Sequence, residues 1–252
     1  MSQAHDSLVA GQFGPRAEAY VSSAVHAAGP DLDRLEAIAR TRAGGRALDL
    51  GCGGGHVAYR LAPHMASVVA CDLSGEMLAA VARTAAERGL ANVTTRQARA
   101  ERLPFADGEF DFIASRYSAH HWGDLQAGLN EARRALRPGG RAVFIDGLAP
   151  GRPVADTHLQ AIELLRDTSH VRDYGADEWA GSLARAGFTV EAMTRYRLRL
   201  EFASWVERMR TPPHLVEAIR ALQAGAPAEV RAALGIEADG SFLLDVILIE
   251  AA

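Results

Sequence analysis

A chain of 252 residues that is 48% hydrophobic and 23% charged holds enough apolar material for one well-buried α/β domain. Its net charge of −4 leaves no basic footprint for a polyanion, and acids are interleaved with the arginines throughout, so nucleic acid is disfavoured as a substrate. Two cysteines, Cys52 and Cys71, read as small core thiols rather than a disulfide framework. No basic segment followed by an apolar run opens the chain, and no apolar stretch approaches the roughly 18 residues of a membrane span. The expectation is a cytoplasmic protein with neither signal peptide nor membrane span.

Residues 1–44 are predicted to be a helical extension. Leu32, Leu35, Ile38 and Ala39 recur at helical spacing behind Asp31, the expected N-cap. Upstream, Gly14-Pro15 breaks a segment containing Phe13 and Tyr20, which read either as core aromatics or as parts of a lid over a ligand. Strands are predicted at 47–50, 67–71, 93–97, 110–115 and 142–146. Ser74 should cap the helix after the second strand, with Leu78, Val81, Ala82 and Ala85 inward. Leu125, Leu129, Ala132 and Leu136 should share one face of a helix that Arg137-Pro-Gly-Gly140 stops.

Past residue 150 the rhythm changes. One helix carries Leu159, Ile162 and Leu165, the next Trp179, Leu183 and Ala186, closed by Gly187. A strand at 189–200 is followed by helices at 203–210, 214–224 and 228–234, and the apolar run at 242–249 reads as a last strand added antiparallel at the sheet edge. Strands alternating with helices predict an α/β fold, a doubly wound, mostly parallel seven-stranded Rossmann-like sheet with an antiparallel last strand.

The chain is organised around Arg46-Ala-Leu-Asp-Leu-Gly-Cys-Gly-Gly-Gly-His56, a short strand running into a glycine-rich turn and then a helix. Only a turn without Cβ atoms lets a bulky ligand rest on the main chain at the carboxyl end of a strand. Asp72 closes the next apolar run 21 positions after Gly51, where a carboxylate would meet a ribose. A dinucleotide fingerprint would place glycine at position 56, which is His56. A nicotinamide-dependent oxidoreductase on a related sheet is thereby disfavoured but stays open, as does a turn that binds nothing.

Asp-Leu-Gly-Cys-Gly-Gly-Gly (49–55), Asp72-Leu-Ser, Ala100-Glu-Arg-Leu-Pro-Phe105 with Phe110-Asp111, and Leu136-Arg-Pro-Gly-Gly140 occur in that order. Together they make residues 46–146 resemble the small-molecule branch of class I S-adenosylmethionine-dependent methyltransferases, especially the ubiquinone/menaquinone-biosynthesis C-methyltransferase group. The resemblance implies S-adenosylmethionine as cofactor, with S-adenosylhomocysteine as product. Gly51, Cys52 and Gly53 would face its methionine part, Asp49 would orient its amino group, and Asp72 would accept from the ribose hydroxyls. Leu73 would pack on the adenine, Ala100 and Glu101 would border it, and Arg116 would meet the amino-acid end through its carbonyl. Tyr20 joins this set from the extension. Arg99 stands where the family often has an acid for the adenine amine.

The same resemblance divides the single domain into the extension or lid (1–44), the cofactor-binding core (45–150), and acceptor-side helices with a closing strand pair (151–252). Methyl transfer from a sulfonium needs alignment and exclusion of water, and a base only where the acceptor holds a proton. His120 and His121, just beyond the fourth strand, are the catalytic candidates, with packing on the next helix as the alternative. Asp146 follows, an exposed helix-flanking acid being its bland alternative. No His-Glu-x-x-His or Cys-x-x-Cys spacing points to a metal. Asp-Pro-Pro-Tyr and Asn-Pro-Pro-Tyr, which present a base amine, are absent after the fourth strand. The expected partner is a small, partly apolar acceptor methylated at an O, N or C centre, on a monomer or homodimer. A non-catalytic cofactor-binding module remains the other reading.

Overall fold

The computed structural model describes residues 3–21 and 27–252. Seven strands form one sheet: β1 (Arg46–Leu50), β2 (Ser67–Asp72), β3 (Val93–Gln97), β4 (Phe110–Arg116), β5 (Leu136–Gly147), β6 (Val190–Leu200) and β7 (Phe242–Ala251). Their order is β3-β2-β1-β4-β5-β7-β6. The pairs from β3 to β5 are parallel, while β7 runs antiparallel to both β5 and β6.

One sheet face is covered by α3 (Pro30–Arg40), α4 (His56–Leu61), α5 (Gly75–Glu87) and α7 (Pro153–Arg166), with α9 (Phe202–Met209), α10 (Pro213–Ala224) and α11 (Ala228–Leu234) beyond them. The other face packs on α6 (Leu125–Ala135) and α8 (Ala176–Ala186). The extension forms α1 (Gln3–Phe13), a single 3₁₀ turn and α2 (Ala17–Val21).

Several expectations need correcting. The last strand is not at the edge: β7 is inserted between β5 and β6. Its residues are buried almost without a break, whereas β6 alternates half-buried and exposed positions, so the edge falls to the strand that can tolerate water on one side. Strand β5 begins at Leu136, which therefore leaves the face of α6, and the Pro-Gly-Gly segment belongs to the strand.

Ser74 does cap α5, its Oγ accepting from the Met77 amide at 3.2 Å. On that helix Ala82 is exposed, and Met77 and Ala80 are buried instead, because α2 packs against a second side of it. Asp31 is not the cap of α3. Gly29 holds that position with Pro30 at the first turn, and Asp31 is drawn inward to Arg116 at 2.6 Å.

Candidate functional site

The turn after β1 works because of three left-handed glycines, Gly51 at φ 70°, Gly53 at φ 47° and Gly55 at φ 79°. A Cβ on Gly51 would lie 1.8 Å from Ser118 Oγ, so the main chain here is bare by steric necessity. Asp72, at the end of β2, fastens this turn to the next. Its Oδ2 accepts from the Gly53 amide at 2.9 Å and its Oδ1 from the Ser74 amide at 2.9 Å. A carboxylate offers about four lone-pair sites, and with the Leu73 amide also bearing on this one not all of them are used. Burial raises the Asp72 carboxyl above the usual range. The Asp49 carboxyl is pushed up to about 7 by burial, helped by the Asp72 charge, and accepts from the Ala58 amide at 2.9 Å.

Tyr20, Asp49, Gly51, Cys52, Gly53, Asp72, Leu73, Ala100, Glu101 and Arg116 all line one cleft of about 1040 Å³ at the carboxyl ends of β1, β2 and β4. The structure thus brings the whole expected set together. The Cys52 thiol is buried and its pKa driven up, so it is an inert wall rather than a nucleophile. Arg116 adds a buried side-chain pair with Asp31 to whatever its carbonyl does. Glu101 accepts from the Gly123 amide at 2.9 Å, and Arg99 is turned to Asp6 and Glu101, each at 3.2 Å.

Asp6, Val9 and Phe13 from α1 line the same cleft. His56, the residue that broke the dinucleotide fingerprint, donates from Nε2 to the Tyr20 carbonyl at 2.9 Å and so holds α2 in place. A second cavity of about 730 Å³ adjoins the first, and Phe13, Tyr20, Tyr117 and His121 line both. Tyr117 has a left-handed backbone at φ 52°, a strained conformation for a bulky residue at the end of β4.

His120 lines only the second cavity. Its Nδ1 lies 2.5 Å from Asp146 Oδ1, and its amide donates to Asp146 Oδ2 at 3.2 Å. Asp146 is 2% exposed, which overturns the exposed-acid alternative. Burial opposes a charge on His120, but Asp146 overcomes it and raises the imidazole to about 9. His121 lies 4.1 Å away between ring centroids, and burial followed by the His120 charge pushes it down to about 3. Its Nδ1 faces the Ser169 carbonyl at 3.1 Å, which assigns the hydrogen to Nδ1 and leaves Nε2 unprotonated, 3.9 Å from Asp167 Oδ2.

Helices α7 and α9 bring Glu163, Arg166 and Arg208 to this cavity, and the loop after α7 brings Asp167, His170 and Asp173, none of them flagged by a sequence motif. Asp173 is 4% exposed, its Oδ2 has no hydrogen-bond partner among the described residues, and burial beside Glu163 pushes its carboxyl up to about 8. His120, Asp146 and Asp173 bring ligand-type atoms within 4.8 Å of one another. Ligands each about 2 Å from one ion sit further apart than the 2.5 Å between His120 and Asp146, so that contact has the spacing of a hydrogen bond between the two side chains.

Residues 48–144 match the family described as a methyltransferase domain. The chain is 49% identical over 197 residues to the uncharacterized protein YafE of Escherichia coli K12, covering 78% of this chain and 95% of that one. It is 36% identical over 200 residues to the uncharacterized methyltransferase YcgJ of Bacillus subtilis 168, covering 79% of each. The crystal structure of YcgJ superposes with a TM-score of 0.84 at 33% identity, over 88% of this chain and 97% of that one. A putative methyltransferase from Bacillus halodurans C-125 gives 0.85 at 30% identity, over 88% and 98%.

Proposed function

The chain belongs to the class I S-adenosylmethionine-dependent methyltransferases, and from that premise we propose that it methylates an O, N or C centre of a small, partly apolar molecule seated in the second cavity. The observation that carries this reading is the wall shared by the two cavities: a nucleophile bound beside His121 would face the cleft of Gly51 and Asp72. The residues of the first cleft fit the cofactor by their chemistry, a bare main chain at 51–53 and a carboxylate with lone pairs to spare at Asp72. When bound, S-adenosylmethionine supplies an electrophilic methyl on a sulfonium.

The protein's part is alignment, dryness and proton management. Helices α1 and α2 roof the cleft, anchored by His5 Nε2 at 2.9 Å from the His121 carbonyl and by the Tyr20 hydroxyl at 3.2 Å from Met209 Sδ. The two histidines divide the proton work. Neutral His121 presents Nε2 as a hydrogen-bond acceptor that orients the X–H of the methyl acceptor, while the His120 imidazolium, fixed by Asp146, lowers the cost of negative charge developing on the acceptor. Two buried, unpaired thiols accord with a reducing cytoplasm, and no helix among the described residues is long and apolar enough to cross a membrane.

Incubation with methyl-labelled S-adenosylmethionine and a panel of small acceptors is expected to label a small molecule. His121→Ala should lower the turnover about a hundredfold or more while cofactor affinity stays put. Labelling confined to nucleic acid or protein, cofactor binding with no transfer, or an undiminished His121→Ala enzyme would each contradict the proposal.

A further inference from the structure

Away from the shared wall, the second cavity has an apolar lining of Leu198, Leu200, Trp205 and Leu244, and two arginines reach it, Arg166 and Arg208. Arg166 is a fixed group. Its Nε donates to the Trp205 carbonyl at 2.9 Å, its guanidinium lies 5.1 Å from the centre of the Trp205 ring, and its Nη1 is 3.6 Å from Glu163. Arg208, one turn further along α9, is half-buried and makes no hydrogen bond or ion pair among the described residues. Residues 1–2 and 22–26 contain no acidic side chain that would supply one.

Several surface arginines hold a carboxylate, Arg134, Arg172 and Arg199 among them, and others without one, such as Arg96 and Arg152, are exposed to water. A guanidinium at a cavity wall loses water without compensation, and it does not escape by giving up its proton. Burial and the Arg166 charge act against the Arg208 charge, and Tyr20 and Glu163 offset them only in part. An anion in the cavity would give Arg208 the hydrogen-bonding partner it lacks among the described residues.

We infer that the acceptor carries a carboxylate, received by the forked donors of Arg208 with Arg166 beside it. The inference rests on the reading that the acceptor occupies the second cavity. The planar fork of a guanidinium matches the two oxygens of a carboxylate. Glu163 and Asp167 line the same cavity, so a monoanion is accommodated more easily than the dianion of a phosphate monoester. With apolar lining at hand, the substrate class is a small carboxylic acid with an apolar body and a methylatable centre directed to the histidines.

The test uses full-length protein saturated with S-adenosylhomocysteine and calorimetric titration of acid and amide pairs: benzoate with benzamide, salicylate with salicylamide, hexanoate with hexanamide. Phenyl phosphate is the competing anion. For at least one pair the acid should bind about tenfold or more tightly than its neutral amide. Arg208→Gln should abolish that preference, and Arg208→Lys should restore part of it. Unchanged S-adenosylhomocysteine affinity in both variants reports that the fold is intact. Equal affinity of acid and amide in every pair, no acid binding, preference for phenyl phosphate, or a preference that survives Arg208→Gln would overturn the inference. Binding of acids without methylation of any acid would leave this site standing and remove the acceptor reading instead.

Discussion

Asp72 joins two turns with one carboxylate, and its removal has two separable consequences. The Gly53 and Ser74 amides lose their partner, and any ribose hydroxyl loses a charge-assisted acceptor. Asp72→Ala should weaken S-adenosylhomocysteine binding by about 2–3 kcal/mol in calorimetry, and the orphaned amides should cost roughly 1–3 kcal/mol of stability. Unchanged affinity would place the ribose elsewhere. This residue was legible because its chemistry is local: an acid at the end of a strand, a fixed distance past a glycine turn. Asp173, Arg166 and Arg208 were not, because nothing in their neighbours along the chain distinguishes them from solvated surface charges. Only the docking of α7, the loop that follows it and α9 over the sheet turns them inward. Asp146 lies between these cases. Its position was read from the end of β5, but its burial depends on His120, 26 residues earlier.

Whole elements were read well wherever their hydrophobic period was matched by a punctuating residue. Ser74 and Gly187 bound helices as expected, Ser74 through its side chain and Gly187 through a left-handed backbone. The place of β7 was not legible, since insertion between β5 and β6 is decided by which strand has two apolar faces to cover. Nor was the contact that seats α6. A Cβ on Gly128 would meet the Trp122 ring at 2.5 Å, and the Trp122 Nε1 donates to Ser118 Oγ at 3.0 Å, the atom lying under Gly51. Helix α6 therefore supports the cofactor turn through one indole. Gly128→Ala should cost about 1–3 kcal/mol, a fall of several degrees in Tm, and should weaken cofactor binding as well. Gly11→Ala on α1, where a Cβ meets nothing within 4 Å, should do neither. A Gly128→Ala protein with wild-type Tm and cofactor affinity would sever this link.

At the scale of the whole molecule, the interior holds titratable groups whose protonation differs between folded and unfolded chains, and together they set the pH response. His121 and His170 are held down at about 3 by burial and by the His120 charge. Below the ordinary histidine value of about 6.5 the unfolded chain takes up protons at these rings that the folded chain refuses, so both reduce stability as pH falls. The opposite sign applies to Asp49 and Asp173, raised by burial to about 7 and about 8. The folded chain keeps protons there that the unfolded chain releases near pH 4, and stability drops as pH climbs to those values. His120, raised to about 9, adds a contribution that is complete below about 6.5 and gone once pH passes 9. The acid and histidine terms oppose each other between about pH 4 and 6.5, whereas above 6.5 the His121 and His170 terms are flat and those of Asp49, Asp173 and His120 point downward. Tm should therefore be highest at mildly acidic pH and decline steadily from about 6.5 to 9. Asp173→Asn, which keeps the shape and cannot ionise, should make that alkaline decline shallower while leaving Tm near pH 5 almost unchanged. Thermal unfolding of the two proteins across this range decides the matter: parallel curves would mean that Asp173 is already ionised in the folded state.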